Sequence, residues 1–278
     1  MITFYIFFIV FLITVLHSIM GCITIPLRGA MIIDATGHAI VSGVITGFII
    51  GKSLNSYWLF TGAVISALVM NCMISFFCKD ENYRNKISYD AAIGISFSFL
   101  FSIGILLISI YARNIHLDLD MILLGNIEYA IYDTFKIFSF HVPKIIIILF
   151  SALIILLLIL KVFWNSIICM LFDKEYAYTR GINLLFVNFI LIIFNSIIIV
   201  SSFNAIGALI LTGIATAPFA YSWNDSKSYK EFLINGLFYN CIFSMLGCFL
   251  SLYFNLPIGA TVAFTTCFCS ILKVLLIG

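Results

Sequence analysis

Asp34 and His38 are the residues in this sequence best placed to do chemistry. They stand four apart, so on a helix they stack on one face. At about 100° per residue, Asp34 lies at 0°, His38 at about 40° and Ser42 at about 80°. Gly43, Gly47 and Gly51 fall at about 180°, 220° and 260° by the same arithmetic. One face is polar, and the opposite face carries two overlapping G-x-x-x-G spacings suited to close helix packing. A carboxylate beside an imidazole suits a borderline divalent metal: Zn²⁺, with Mn²⁺ or Fe²⁺ as alternatives. Two ligands hold an ion weakly, and a two-fold related second copy would supply four. Weak coordination suits passage, because the ion must also leave. On spacing alone a second reading stands beside this one. Asp34 would pair with Arg28 at the membrane end, and His38 would hydrogen-bond a neighbouring helix.

The elements that must position these residues follow from composition. Of 278 residues, 63% are hydrophobic and 9% charged; the mean hydropathy is +1.20. A soluble domain carries about a quarter charged residues, so a water-soluble globule is excluded. Disorder is excluded too, since it needs low hydrophobicity and high net charge. A net charge of +2 on scattered basic residues gives no nucleic-acid surface. The expectation is an all-α polytopic membrane protein of about nine spans, forming a single domain over 1–278. A span needs about 20 apolar residues. Nine segments qualify, at roughly 2–22, 30–51, 57–78, 91–111, 143–163, 182–202, 205–223, 232–254 and 257–277. Lys79–Asp90, Asp173–Arg180 and Asn224–Glu231 read as solvated breaks. The longest break, 112–142, holds the apolar piece Met121–Leu124, too short to span.

The N-terminal segment Met1–Cys22 has no basic residue before Arg28, so it reads as a retained span and not a signal peptide. With the N-terminus outside, ten of the 14 Lys and Arg residues fall inside; only Lys52, Arg113, Lys136 and Lys144 fall outside. That asymmetry obeys the positive-inside rule and predicts an N-out, C-in topology. The eight cysteines sit in or at the ends of apolar runs and read as small hydrophobes.

Weaker candidates lie elsewhere. His116, Asp118 and Asp120 gather three possible ligands in an outer loop, where they would attract incoming cations or simply be solvated. His17 and His141 read as structural or interfacial histidines, and Glu128 as interfacial. Gly47-Phe-Ile-Ile-Gly51-Lys52-Ser53 imitates a phosphate-binding loop but has three intervening residues where four are needed, and it follows a helix. The sequence therefore offers no nucleotide site.

The stretch from Arg28 to Gly51 resembles the signature of the ABC-type zinc/manganese/iron uptake permeases. Asp34-Ala35, His38-Ala39 and Gly43-Val44 match; Ile33, Gly37 and Ser42 depart from the usual Gly, Ser and Pro. Further matches run in order along the chain. They are Gly104–Ser109, Leu124-Gly125-Asn126, Asp173 to Gly181 as D-x-E-x-A-x-x-x-G, Ile206-Gly207-Ala-Leu209 with Pro218, and Pro257-Ile-Gly259-Ala260.

The resemblance implies a permease subunit of a metal importer in the bacterial inner membrane, working as a homodimer by alternating access. Asp34 and His38 would contact the metal. Residues 172–181 would form a cytoplasmic coupling helix docking on a separate ATP-binding subunit through Asp173, Glu175, Ala177 and Gly181. An extracytoplasmic metal-binding protein would deliver the cargo, and no cofactor would be permanently bound. The chain itself would catalyse no covalent chemistry. Zinc is expected first, then manganese or iron. Two rivals remain: a stand-alone secondary transporter driven by an ion gradient through Asp34 and His38, and a membrane hydrolase using a Ser with His38. No half-to-half repeat supports the first, and no G-x-S-x-G elbow the second.

Overall fold

A computed structural model describes residues 2–27, 30–52, 56–78, 87–111, 125, 127–137, 140–223 and 226–277. Four long helices come first: α1 (Ile2–Thr24), α2 (Ala30–Gly51), α3 (Ser56–Phe77) and α4 (Tyr89–Tyr111). A short α5 (Ile127–Tyr132) leads into a hairpin of β1 (Thr134–Ile137) and β2 (Phe140–Pro143). The chain continues as α6 (Lys144–Phe172), α7 (Lys174–Thr179), α8 (Leu184–Ile206), α9 (Ala208–Ser222), α10 (Tyr229–Phe254) and α11 (Ile258–Ile277). Among the described residues, eight helices are long and apolar enough to cross a membrane: α1–α4, α6, α8, α10 and α11.

The seventh expected segment, 205–223, starts later, at Ala208, and the break expected at 203–204 falls at Gly207. That residue adopts φ +82 and caps α8, its N–H bonding the Phe203 carbonyl. α9 then restarts at Ala208 and runs only 15 residues, about 22 Å at 1.5 Å per residue. Gly125, itself at φ +65, packs against Gly207 so tightly that a Cβ on it would overlap the Gly207 backbone. Both positive φ values favour glycine, which has no side chain to clash. Two glycine motifs distant in sequence thus meet as one backbone contact.

The break expected at 112–142 holds structure. β1 and β2 pair antiparallel from Thr134↔Pro143 to Ile137↔Phe140. Lys144 closes the hairpin's base, its ammonium 2.7 Å from the Asp133 carboxylate and its N–H on the Asp133 carbonyl. α6 runs nine residues beyond the 163 at which the sequence places its end, because residues 164–172 stay mostly apolar and hold no Gly or Pro. All eight cysteines are free.

α2 lies between α3 and α4. A Cβ at Gly43 would strike the Gly62 carbonyl, and one at Gly47 the Trp58 carbonyl. On the α4 side, a Cβ at Gly104 would stand 2.8 Å from the Ser42 nitrogen. Backbone-to-backbone approach on both sides buries most of α2, and in lipid such contact, not hydrophobic transfer, drives helix association. α9 packs against α1, α2, α10 and α11.

Contacts at the helix ends sort the chain onto two faces. On one, the Tyr5 hydroxyl donates to the His141 carbonyl, joining the start of α1 to the hairpin. On the other, the Tyr229 hydroxyl donates to the Cys22 carbonyl, Phe172 meets the Tyr229 ring, and the Lys273 ammonium donates to the Tyr221 carbonyl. The ends of α1, α6, α9 and α11, the start of α10 and the whole of α7 therefore share a face opposite the N-terminus.

Candidate functional site

Asp34 is the fifth residue of α2 and His38 the ninth, so they lie about 6 and 12 Å along the helix from its start. That start follows α1's end, on the face that carries α7. The four-residue spacing brings His38 Nε2 to 4.0 Å from Asp34 Oδ1. The Asp34 side chain is 50% exposed and that of His38 21%. The imidazole is wedged against α4, its ring 5.6 Å from Phe97 and 5.2 Å from Phe101, the latter edge-on. Nδ1 is buried there without a hydrogen-bond partner. Nε2, on the Asp34 side, is the nitrogen a cation could reach. Carboxylate and imidazole thus open together at the surface of the single chain.

Ser42 turns away from this pair. Its Oγ lies 2.7 Å from Ser66 Oγ on α3, and both hydroxyls donate to the Ala39 carbonyl at 2.8 and 2.6 Å. Each four-residue step rotates by about 40°, and the second step carries Ser42 into the α2–α3 seam. No signal in the sequence marks Phe97, Phe101 or Ser66 as neighbours of this face. α4 adds exposed hydroxyls at Ser98, Ser102 and Ser109. By the helical angle these lie about 60–140° round α4 from Phe97 and Phe101.

The other candidates named from the sequence either lie outside the described residues or stand elsewhere in the bundle. His116, Asp118 and Asp120 lie outside the described residues, as do Arg28 and Met121–Leu124. His17 is buried, its Nε2 3.1 Å from Ser202 Oγ on α8. His141 sits exposed in β2, and Glu128 is exposed in α5. Among the described residues, no three His, Cys, Asp or Glu side chains gather as a metal-binding group.

α7 is built by its ends. Asp173 caps it, Oδ1 accepting the Tyr176 N–H at 2.9 Å. Gly181 ends it at φ +74, and the Ile182 N–H returns to the Ala177 carbonyl at 3.1 Å. This is the left-handed glycine stop typical of helix C-termini. Ala177 is fully buried and seats the helix; Glu175, Tyr176 and Tyr178 are exposed. Arg180 lies 5.1 Å from the centre of the Tyr176 ring.

Comparison with known proteins bears on this arrangement. The chain is 30% identical over 207 residues to the zinc transport system membrane protein TroD of Treponema pallidum (strain Nichols), a match that covers 74% of this chain and 55% of TroD. It is 27% identical over 241 residues to the manganese transport system membrane protein MntD of Bacillus subtilis (strain 168), covering 86% of this chain and 80% of MntD. Among solved structures it resembles PsaBC from Streptococcus pneumoniae in complex with Fab. The TM-score is 0.77 at 22% identity, over 96% of this chain and 89% of that one. That likeness shows a shared fold. The model of the ABC 3 transport family matches residues 2–277, and the chain belongs to that family.

Proposed function

We propose that this chain is the permease subunit of an ATP-driven importer of divalent metal in a bacterial plasma membrane, with Asp34 and His38 as ligands along the ion's route. The observation that carries the reading is the half-exposed carboxylate beside His38 Nε2 on a membrane helix. An ionisable pair at that depth is costly unless it faces a cavity or a partner. The exposed serines elsewhere on α4 are likewise poor lipid contacts. A second copy related by a two-fold axis would cover this face and raise the ligand set from two to four.

The cargo is zinc in the first instance, the metal in TroD's name, and manganese next, the metal in MntD's. Asp with His suits both. A separate ATP-binding subunit would dock on α7 through Glu175, Tyr176 and Tyr178, with Ala177 buried as its seat and Asp173 and Gly181 shaping its ends. ATP binding and hydrolysis there would rock the helices and open the Asp34–His38 region to one side at a time. An extracytoplasmic metal-binding protein would load the opposite face, where the hairpin lies.

The test is metal uptake into vesicles holding the permease with its ATPase, by Asp34→Ala and His38→Ala variants. Uptake is expected to fall at least tenfold while assembly and ATP hydrolysis persist. Uptake at the unmodified rate in both variants would refute the ligand role. Uptake that proceeds without ATP or its hydrolysing subunit would refute the ATP-driven reading itself.

A further inference from the structure

A second polar group lies deep in the bundle, and no residue of α2 belongs to it. It begins with Pro218 in α9. Proline has no N–H, so the Ile214 carbonyl one turn earlier loses its helical donor. Asn240 on α10 supplies the replacement, Nδ2 donating to the Ile214 carbonyl at 2.9 Å. The same Nδ2 donates to Ser18 Oγ on α1 at 2.7 Å. A carbonyl can only accept, so the amide orientation is fixed. Asn240 Oδ1 must point elsewhere, and there it is buried with no partner.

Two further orphans lie one turn on. Tyr229 meets Cys22 and Asn240 meets Ser18, so α1 and α10 run antiparallel. Four residues back along α1 is Thr14, and four on along α10 is Ser244. Each step is about 6 Å of rise and about 40° of turn, so on antiparallel helices both move the same way, one turn beyond the Asn240–Ser18 pair and on nearly the same face. Thr14 Oγ1 and Ser244 Oγ are buried and unpartnered, and both residues are 0% exposed. Neither bonds to its own helix or to the other, so both hydroxyls are left for a third molecule to satisfy.

We propose that Thr14, Asn240 and Ser244, with Ser18 beside them, enclose a site for ordered water between α1 and α10. One or two waters there would donate to Asn240 Oδ1 and bridge the two hydroxyls, the two to four bonds a buried water ordinarily makes. At this depth lipid offers no donor, and an orphaned polar group costs a few kcal/mol. The oxygens are neutral, with no carboxylate among them, and no three metal-binding side chains gather among the described residues. Water fits that set; a divalent ion does not. The site completes a chain of bonds that begins at the proline break and lets α9 carry Pro218 without a stranded carbonyl.

The probe is water itself. In bilayer-reconstituted, isotope-labelled full-length protein, solid-state NMR can follow magnetisation from water protons into side chains. Transfer is expected to reach the Asn240 amide at least several-fold faster than the buried side chains of Ile13 and Leu16. Equal rates would overturn the proposal. In the double variant Thr14→Val with Ser244→Ala, transfer to Asn240 should fall to that apolar level while the Asn240–Ile214 bond keeps its amide shift. Undiminished transfer in that variant would overturn the assignment to these residues. If the variant does not fold, the comparison within the unmodified protein still decides.

Discussion

At Gly43 the missing side chain is what lets α2 and α3 touch. A Cβ there meets the Gly62 carbonyl, a backbone atom that cannot rotate away. Gly43→Leu should therefore destabilise the subunit by about 1–3 kcal/mol, the usual range for overpacking. Thermal unfolding in detergent reads this as a lowered midpoint. Gly94 is the control: it lies inside α4 with nothing within 4 Å of where its Cβ would stand, so Gly94→Ala should hold or raise the midpoint, by up to about 1 kcal/mol of stability. Equal effects at the two positions would remove the packing account. The four-residue repeat of glycines is visible in the sequence, but the backbone it meets is not, because spacing within one helix says nothing of its neighbour. His38 shows the same limit. Its distance from Asp34 follows from helical spacing, whereas Phe97 and Phe101 are two among 29 phenylalanines and carry no mark.

Among the elements, α7 and α9 are shaped at their ends more than along their lengths. Gly181 holds φ +74 in open space, so a substitution there meets no neighbour and strains only the backbone. A β-branched residue in that conformation costs about 1–2 kcal/mol, and asparagine tolerates it. If α7 is the docking element, Gly181→Val should reduce the ATPase that co-purifies with the permease by up to about tenfold, and Gly181→Asn should restore most of it. Undisturbed co-purification of the valine variant would count against docking through α7. The acid-first, glycine-last order of this segment was legible because capping is local chemistry. The exact place of the break before 205–223 was not: the sequence puts it at 203–204 and the structure at Gly207. Gly207 turns left-handed where Gly125, 82 positions earlier in sequence, packs against it, and that partnership has no mark in the sequence. The hairpin was missed for a related reason: a short two-stranded ribbon is held by its surroundings, here Tyr5 and the Asp133–Lys144 pair.

For the whole molecule, the two faces decide how many times the chain crosses. The N-terminus lies with the hairpin, and α7 lies with the end of α11, so the termini stand on opposite sides of the bundle. Eight long helices alone would return the chain to its starting side. Among the described residues, α9, despite its 15 residues, is the helix left to make a ninth crossing, and its position among α1, α2, α10 and α11 lets protein, not lipid, surround its short ends. The basic residues then choose which side is which. Fewer Lys and Arg flank the N-terminal face, so that face is expected outside and the α7 face in the cytoplasm. A fluorescent protein fused after Gly278 should mature and glow in cells, because it folds on the cytoplasmic side, while alkaline phosphatase at the same position should stay inactive. The reverse pattern would turn the molecule over and put α7 out of reach of any ATP-binding partner. Activity of phosphatase fused within 138–139, at the hairpin, is the complementary expectation. Both fusions reporting the same side would mean that α9 does not cross.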